Sequence, residues 1–146
     1  MSTVSDSKRL MSGKGRIYVT HCCAKKRARL KRSQRAVSPE ELYVATPTRR
    51  FIRRCQEQGV RWAIFSDLYG VWFPQMRRPW YERAPDSVTP REFARLLRDF
   101  DRSLRGFREI CFYHNPGRFH PIYRALLQQT KLRKRVRLFT HLSQIG

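Results

Sequence analysis

The sequence predicts a single three-layer α/β domain, with a small, mostly parallel sheet of about four strands flanked by helices. Three observations carry that prediction. Short β-branched and aromatic runs recur at 16–21, 61–66, 109–114 and 135–140. Segments with helical periodicity and recognisable caps lie between them, and strands alternating with helices in this way build βα units and parallel pairing. The length of 146 residues suits one domain of ordinary size.

Residues 1–15 are polar and glycine-bearing and read as a loose tail, so the domain spans 16–146. Arg16-Ile17-Tyr18-Val19-Thr20-His21 is the first strand, a run that fits a buried pleated surface. Lys25 to Arg35 carries seven Lys or Arg in eleven residues. Such a charge run reads as a solvated loop, or as a basic arm over about 24–37 that orders on binding. Ser38-Pro39-Glu40-Glu41 offers an N-cap, a proline at the first helical position and acidic residues in the first turn. A second helix start at Thr46-Pro47 leads into Arg49 to Gln58, closed by Gly59, with Phe51, Ile52 and Cys55 on one face.

Arg61 to Ser66 is the second strand. A long connection from Asp67 to Pro90 follows, with four prolines and two of the three tryptophans. Thr89 and Glu92 form a capping-box pattern ahead of a stripe of Phe93, Leu96, Leu97, Phe100 and Leu104, and Gly106 ends that helix. Glu109 to His114 is the third strand, stopped by Asn115-Pro116-Gly117. A helix over Pro121 to Gln129 buries Ile122, Leu126 and Tyr123, and Arg135 to Thr140 is the last strand.

The charge is the firmest functional signal. Lys and Arg number 32 against 11 Asp and Glu, a formal charge of +21. A field of that size on one domain draws phosphate backbones and releases their counterions. Hydrophobic residues at 40% and aromatics at 12% supply a core and argue against wholesale disorder. No run is long and apolar enough for a membrane span, and no apolar signal stretch opens the chain, so an intracellular, cytoplasmic protein without a membrane partner is expected. Adjacent Cys22 and Cys23, with Cys55 and Cys111, read as reduced thiols rather than a disulfide framework.

In parallel sheets ligands bind beyond the carboxyl ends of the strands. That rule nominates 21–26, 66–70 and 114–117 as the lips of one crevice. Ser66 and Asp67 are the candidate polar or catalytic groups: Ser66 can bond a ligand or cap the next turn, and Asp67 can act as a general base or a sugar contact. The competing role for Asp67 is an Asx-turn of its own. Gly70 permits a positive φ or a close backbone approach. Trp62, Trp72, Phe73, Trp80 and Tyr81 offer stacking faces beside arginines, as single strands and splayed loops require, with core packing as the alternative. Cys22, Cys23, Cys111 and His114 invite a metal reading only if they converge, and their spacing is not a standard zinc pattern. A reactive thiol at Cys22 or Cys23, activated by Lys25 and Lys26, is a second possibility. His114 and His120 flank the Asn-Pro-Gly turn and are more often structural. No Walker loop, dinucleotide fingerprint, nucleophile triad or paired-carboxylate motif is present, and no cofactor or metal is called for.

Taken together, the lips resemble a known family. Cys22 or Cys23 with Lys25 and Lys26, Pro39 with Leu42-Tyr43, Ser66 with Tyr69-Gly70 and Pro74, and Pro79 with Tyr81 are similar to motifs of small α/β proteins distantly related to the peroxide-stress protein YaaA. They also look like the uracil-DNA-glycosylase-like module of archaeosine and deazaguanine transglycosylase relatives. The likeness covers about residues 16 to 130. It implies a parallel α/β sheet, a strand-end crevice built from those residues, and work on nucleic acid, since YaaA-like proteins bind DNA and limit oxidative damage. The departures are Ala24 in place of a serine-like residue, apolar Leu68 before Tyr69, and a loop thickened by Trp72 and Phe73. The helix-hairpin-helix of full-length YaaA proteins needs more chain than this.

The expectation is therefore a nucleic-acid-binding domain, with DNA and tRNA both open as partners and the oligomeric state open. A pocket for a nucleotide or unstacked base would lie at the strand ends. Lys25, Lys26, Arg27, Arg29, Lys31, Arg32, Arg49 and Arg53 would meet phosphate, and Cys22, Cys23, Tyr43, Tyr69, Gly70, Trp72, Pro74, Tyr81 and His114 would shape the pocket. Cleavage or exchange at an N-glycosidic bond, through Asp67, is the enzymatic alternative. A structural or RNA-chaperoning protein without a pocket, and a cysteine-based redox or metal sensor, are the others.

Overall fold

Alternation along β1 (Arg16–His21) sets up two apolar layers: Ile17 and Val19 enter one, Tyr18 the other. The computed structural model describes residues 15–114 and 119–146. The expected tail, but for Gly15, and the Asn115-Pro116-Gly117 stop lie outside the described residues. Short helices α1 (Leu30–Ser33) and α2 (Pro39–Leu42) precede α3 (Thr46–Gln58). Strand β2 (Arg61–Ser66), strand β3 (Gly70–Trp72) and helix α4 (Pro90–Leu104) follow. Strand β4 (Glu109–Tyr113), helix α5 (Pro121–Gln129) and strand β5 (Val136–Phe139) complete the order.

The sheet runs β3-β2-β1-β4-β5. Pairs β1–β2, β1–β4 and β4–β5 are parallel, and β3 is antiparallel to β2. The α/β class and mostly parallel sheet are thus as read, with a fifth strand added. That strand is only three residues long and sits in the segment read as a connection: Ser66 pairs with Gly70 and Ile64 with Trp72. It has room for no periodicity, which is why pattern reasoning passed over it.

One layer joins Tyr18, Trp62, Ile64, Trp72, Cys111 and Tyr113 of the sheet to Phe51, Ile52 and Cys55 of α3. The other joins Ile17, Val19, Phe65, Ile110 and Phe112 to Leu96, Phe100 and Leu104 of α4 and Tyr123 and Leu126 of α5. Each large apolar side chain removed from water contributes ~1.5–3 kcal/mol, so these layers rather than helix propensity hold the arginine-rich α3 in place. The capping box at Thr89 and Glu92 forms as predicted, and Ser38 with Glu41 makes a second one at α2.

The basic segment differs from a detached arm. Leu30 and Val37 are buried, and Val37 pairs with Arg78 while Lys26 pairs with Tyr43 through isolated bridges. Two apolar anchors and two bridges dock the segment on the core, while Lys25, Arg29, Lys31, Arg32 and Arg35 are exposed. No helix among the described residues is long and apolar enough to cross a membrane.

Candidate nucleotide-sized cavity at the strand ends

The chain enters α3 from β1 on one face of the sheet and reaches β4 through α4 on the other. The carboxyl ends of β1, β2 and β4 are left uncovered where the two paths diverge, and such a switch point is where open α/β sheets bind ligands. A cavity of ≈ 580 Å³ opens there. That is inside the ~300–1,000 Å³ span of small-molecule sites. Its walls come from β1 and the following residues (Thr20, His21, Cys22, Cys23), the start of α3 (Pro47, Thr48), Asp67, the 80–85 segment, and His120 and Tyr123 at the start of α5.

Asp67 is the polar centre of this site. The turn after β2 is held by Ser66, whose Oγ accepts from the amides of Leu68 at 3.1 Å and Tyr69 at 3.0 Å. Asp67 is therefore free of turn duty and projects its carboxyl to Tyr123, whose hydroxyl donates to Oδ1 at 2.6 Å. Asp67 is only 3% exposed. Burial pushes its carboxyl above the ordinary range, and the Tyr123 hydrogen bond pulls the other way. The Cys22 thiol lies 3.7 Å from the same hydroxyl. Because that hydroxyl spends its proton on Asp67, the thiol is the donor, giving a short relay Cys22–Tyr123–Asp67.

His21 stacks on the Tyr123 ring, with centroids 4.6 Å apart and planes 15° apart. Its Nδ1 bonds the Cys22 carbonyl at 2.9 Å, so Nδ1 carries the proton and Nε2 is an acceptor. Burial lowers the imidazole's affinity for a second proton. His21 Nε2 and Trp80 Nε1 are both buried without a hydrogen-bond partner. Across the cavity the Lys26 ammonium sits 4.5 Å from the Tyr81 ring centre and 5.6 Å from that of Trp80, held by the negative faces of the rings. Two carboxylates line the wall in all: Asp67, and Glu82, which is exposed and bridges to Lys31 at 3.0 Å.

Of the residues nominated from sequence, His21, Cys22, Cys23, Ala24, Lys26, Asp67 and Trp80 line the cavity. The other pocket candidates lie elsewhere. Tyr43 and Trp72 are fully buried, Tyr81 nearly so, and the Tyr43 and Tyr81 hydroxyls meet at 2.5 Å inside the core. Tyr69 donates to the Pro79 carbonyl at 3.0 Å and lies under the Arg78 guanidinium. Pro74 borders a cavity of ≈ 150 Å³ beside Ile17 and Arg61, at the opposite end of the sheet. His114 pairs with β5 through its amide and packs on Phe119. Gly70 does have a positive φ of 80°, but the group approaching it is the Asp99 carboxylate rather than a ligand.

The phosphate candidates Lys25, Arg29, Lys31, Arg32, Arg49 and Arg53 are exposed, and Arg27 is half-buried with Nε donating to the Glu41 carbonyl at 3.0 Å. Cys111 accepts from Arg137 in β5, away from Cys22 and Cys23, and no group of three or more His, Cys, Asp or Glu side chains among the described residues could hold a metal. Activation of Cys22 by Lys25 and Lys26 is corrected as well: burial pushes its thiol up to about 12.

Thr20, Thr48, Arg83, His120 and Tyr123 are cavity residues that sequence reasoning missed. Thr48 had a signal, being in the first turn of a helix whose start was read correctly and whose cap, Ala45, has no side-chain oxygen. Tyr123 had a weaker one, as a polar-tipped residue on the buried stripe of α5.

No family model, curated protein or solved structure matches this chain.

Proposed function

We propose that the protein binds nucleic acid through its basic surface and holds one nucleotide or unstacked base in the strand-end cavity. The observation that carries this reading is the buried Asp67 carboxyl, aimed by Tyr123 into a cavity of nucleotide size, in a chain of net charge +21. The outward arginines of α3 and of the 25–35 segment supply the sequence-independent attraction. Asp67 supplies an acceptor for the amino edge of a base, the kind of contact that reads identity rather than charge. Trp80 and the His21–Tyr123 stack present aromatic surface in the same wall.

The test is equilibrium binding to duplex DNA, single-stranded DNA and tRNA across a salt series, with Asp67→Asn beside the unaltered protein. Affinity for one ligand should persist at high salt and drop about tenfold or more in the variant, as loss of a hydrogen bond to a charged group implies. Binding that falls alike for all three ligands, and ignores the variant, overturns the cavity reading and leaves a basic surface alone.

Glu82 favours a second reading, cleavage or exchange at an N-glycosidic bond, because it places a second carboxylate on the wall. Asp67 would then stabilise oxocarbenium charge or position water, and base release from the bound strand is the assay.

A further inference from the structure

The cavity wall joins two unlike groups: the Asp67 carboxyl with Tyr123 and His21, and the start of α3. Helix α3 is 13 residues long, and its N-cap, Ala45, makes no side-chain hydrogen bond to the first turn. Pro47 has no N–H, so the amides of Thr46 and Thr48 are the donors left at this terminus. Ala45, Pro47 and Thr48 all lie on the cavity wall, so the positive end of the helix faces the enclosed space.

A second observation, independent of the helix terminus, points to a ligand. The Thr48 side chain is 95% buried, its relative exposure being 5%, and it borders the cavity. Thr20 donates to the Tyr113 carbonyl, Ser66 accepts from two amides, and Tyr123 donates to Asp67, so these buried hydroxyls have protein partners. The Thr48 hydroxyl forms no hydrogen bond among the described residues, and its oxygen is not one of the sealed, unpartnered atoms, so what exposure it keeps is to the cavity it lines.

Lys26 shares the cavity wall with Thr48 for a structural reason. Arg27 N–H donates to the Leu42 carbonyl at 2.8 Å and Val44 N–H to the Lys25 carbonyl at 3.1 Å, and the Lys26–Tyr43 bridge lies between them. This pairing pins Lys26 opposite Tyr43, two residues ahead of Ala45. Its ammonium rests on Trp80 and Tyr81 and forms no ion pair among the described residues. The other charges on the wall are engaged, Glu82 with Lys31 and Arg83 with Glu92 at 2.8 Å.

We propose that the N-terminus of α3, with the Thr48 hydroxyl and the Lys26 ammonium, is a phosphate subsite, so that the cavity takes the phosphate-bearing moiety of a nucleotide, either free or at the end of a strand. This rests on the reading of the cavity as a nucleotide site and adds to it which part of the wall receives the phosphate. Uncapped helix amides, one hydroxyl and one ammonium form a set of donors suited to a dianion. The base then extends toward Asp67.

Binding of five probes tests the assignment: a nucleoside 5′-monophosphate, its nucleoside, inorganic phosphate, and a short single strand with and without a 5′-phosphate. Each is titrated into the unaltered protein, Thr48→Val, Thr48→Ser and Lys26→Gln, with melting midpoints confirming that each variant folds. The nucleotide should bind at least about tenfold tighter than the nucleoside. That advantage should shrink in Thr48→Val and Lys26→Gln, persist in Thr48→Ser, and leave nucleoside affinity unchanged. A phosphate advantage confined to the free nucleotide, or shared by the phosphorylated strand, supports the subsite and identifies its source. Equal binding of nucleotide and nucleoside overturns the subsite while leaving the base reading intact. Inorganic phosphate binding as tightly as the nucleotide, with no nucleoside binding, keeps the subsite and removes the base reading. An undiminished phosphate advantage in Thr48→Val overturns the assignment to α3.

Discussion

Replacing Gly70 with alanine probes the turn that presents Asp67, and the structure sets the size of the effect. At φ 80° an alanine costs ~1–2 kcal/mol for its left-handed backbone alone. Its Cβ would also stand 2.2 Å from Asp99 Oδ2 and 2.7 Å from Asp99 Cγ, so the carboxylate must swing away. That carboxylate accepts from the Val71 amide at 2.8 Å, a charge-assisted bond worth ~1.5–3 kcal/mol. The two contributions together give about 2.5–5 kcal/mol, or a fall in melting temperature of roughly 5–20 °C for a chain of this size. Equilibrium urea unfolding of the unaltered protein, Gly70→Ala, Asp99→Ala and the double variant measures both parts. In the Asp99→Ala background the glycine substitution should cost only the backbone share of ~1–2 kcal/mol. If Gly70→Ala costs the same whether or not Asp99 is present, the collision with the carboxylate is not what requires glycine, and the account of this turn is wrong.

Two further outcomes follow from the site. Asp67 binds its proton more tightly folded than unfolded, so it favours the folded state below its ordinary value of 3.8 and loses that contribution as pH rises through its raised folded value. The stability of the unaltered protein minus that of Asp67→Asn, from urea unfolding at a series of pH values, should therefore decline as pH rises through this window; a difference that grows with pH would show that burial does not dominate. Alkylation of the native protein at mildly alkaline pH, mapped by mass spectrometry, should modify half-exposed Cys23 first, while Cys22 and Cys55, both held up to about 12 by burial, react only on unfolding; equal rates at Cys22 and Cys23 would refute the buried relay.

The fold was legible where one local rule decided the outcome. Thr89 and Glu92 mark the start of α4 because a capping box satisfies two amides at once, and the structure shows both bonds. The rule that ligands meet strand ends led to Asp67 and Cys22, since both follow directly from where a parallel strand stops. The aromatic residues were harder. Trp72 and Tyr81 stand among prolines and arginines and read as surface stacking groups, yet β3 turns Trp72 into the core, where its indole donates to the Met76 carbonyl. Nothing local announces a three-residue strand whose only partner is β2. The same holds for the wall of the cavity: Thr48 and Tyr123 reach it from helices on opposite faces of the sheet, and that meeting is a tertiary event. In the basic segment the density of charge hid Leu30 and Val37, the two residues that dock it.

The cavity wall is assembled from segments near residues 20–26, 45–48, 80–85 and 120–123, which meet only when the sheet and both helical layers are in place. A ligand that touches several of them binds the native chain and not the unfolded one, so occupancy and folding become a single linked equilibrium. At a free concentration one hundred times its dissociation constant, such a ligand adds about 2.7 kcal/mol to the unfolding free energy. Melting temperature is thus a direct readout of the cavity, and a nucleotide library can be ranked by it before any reaction is known.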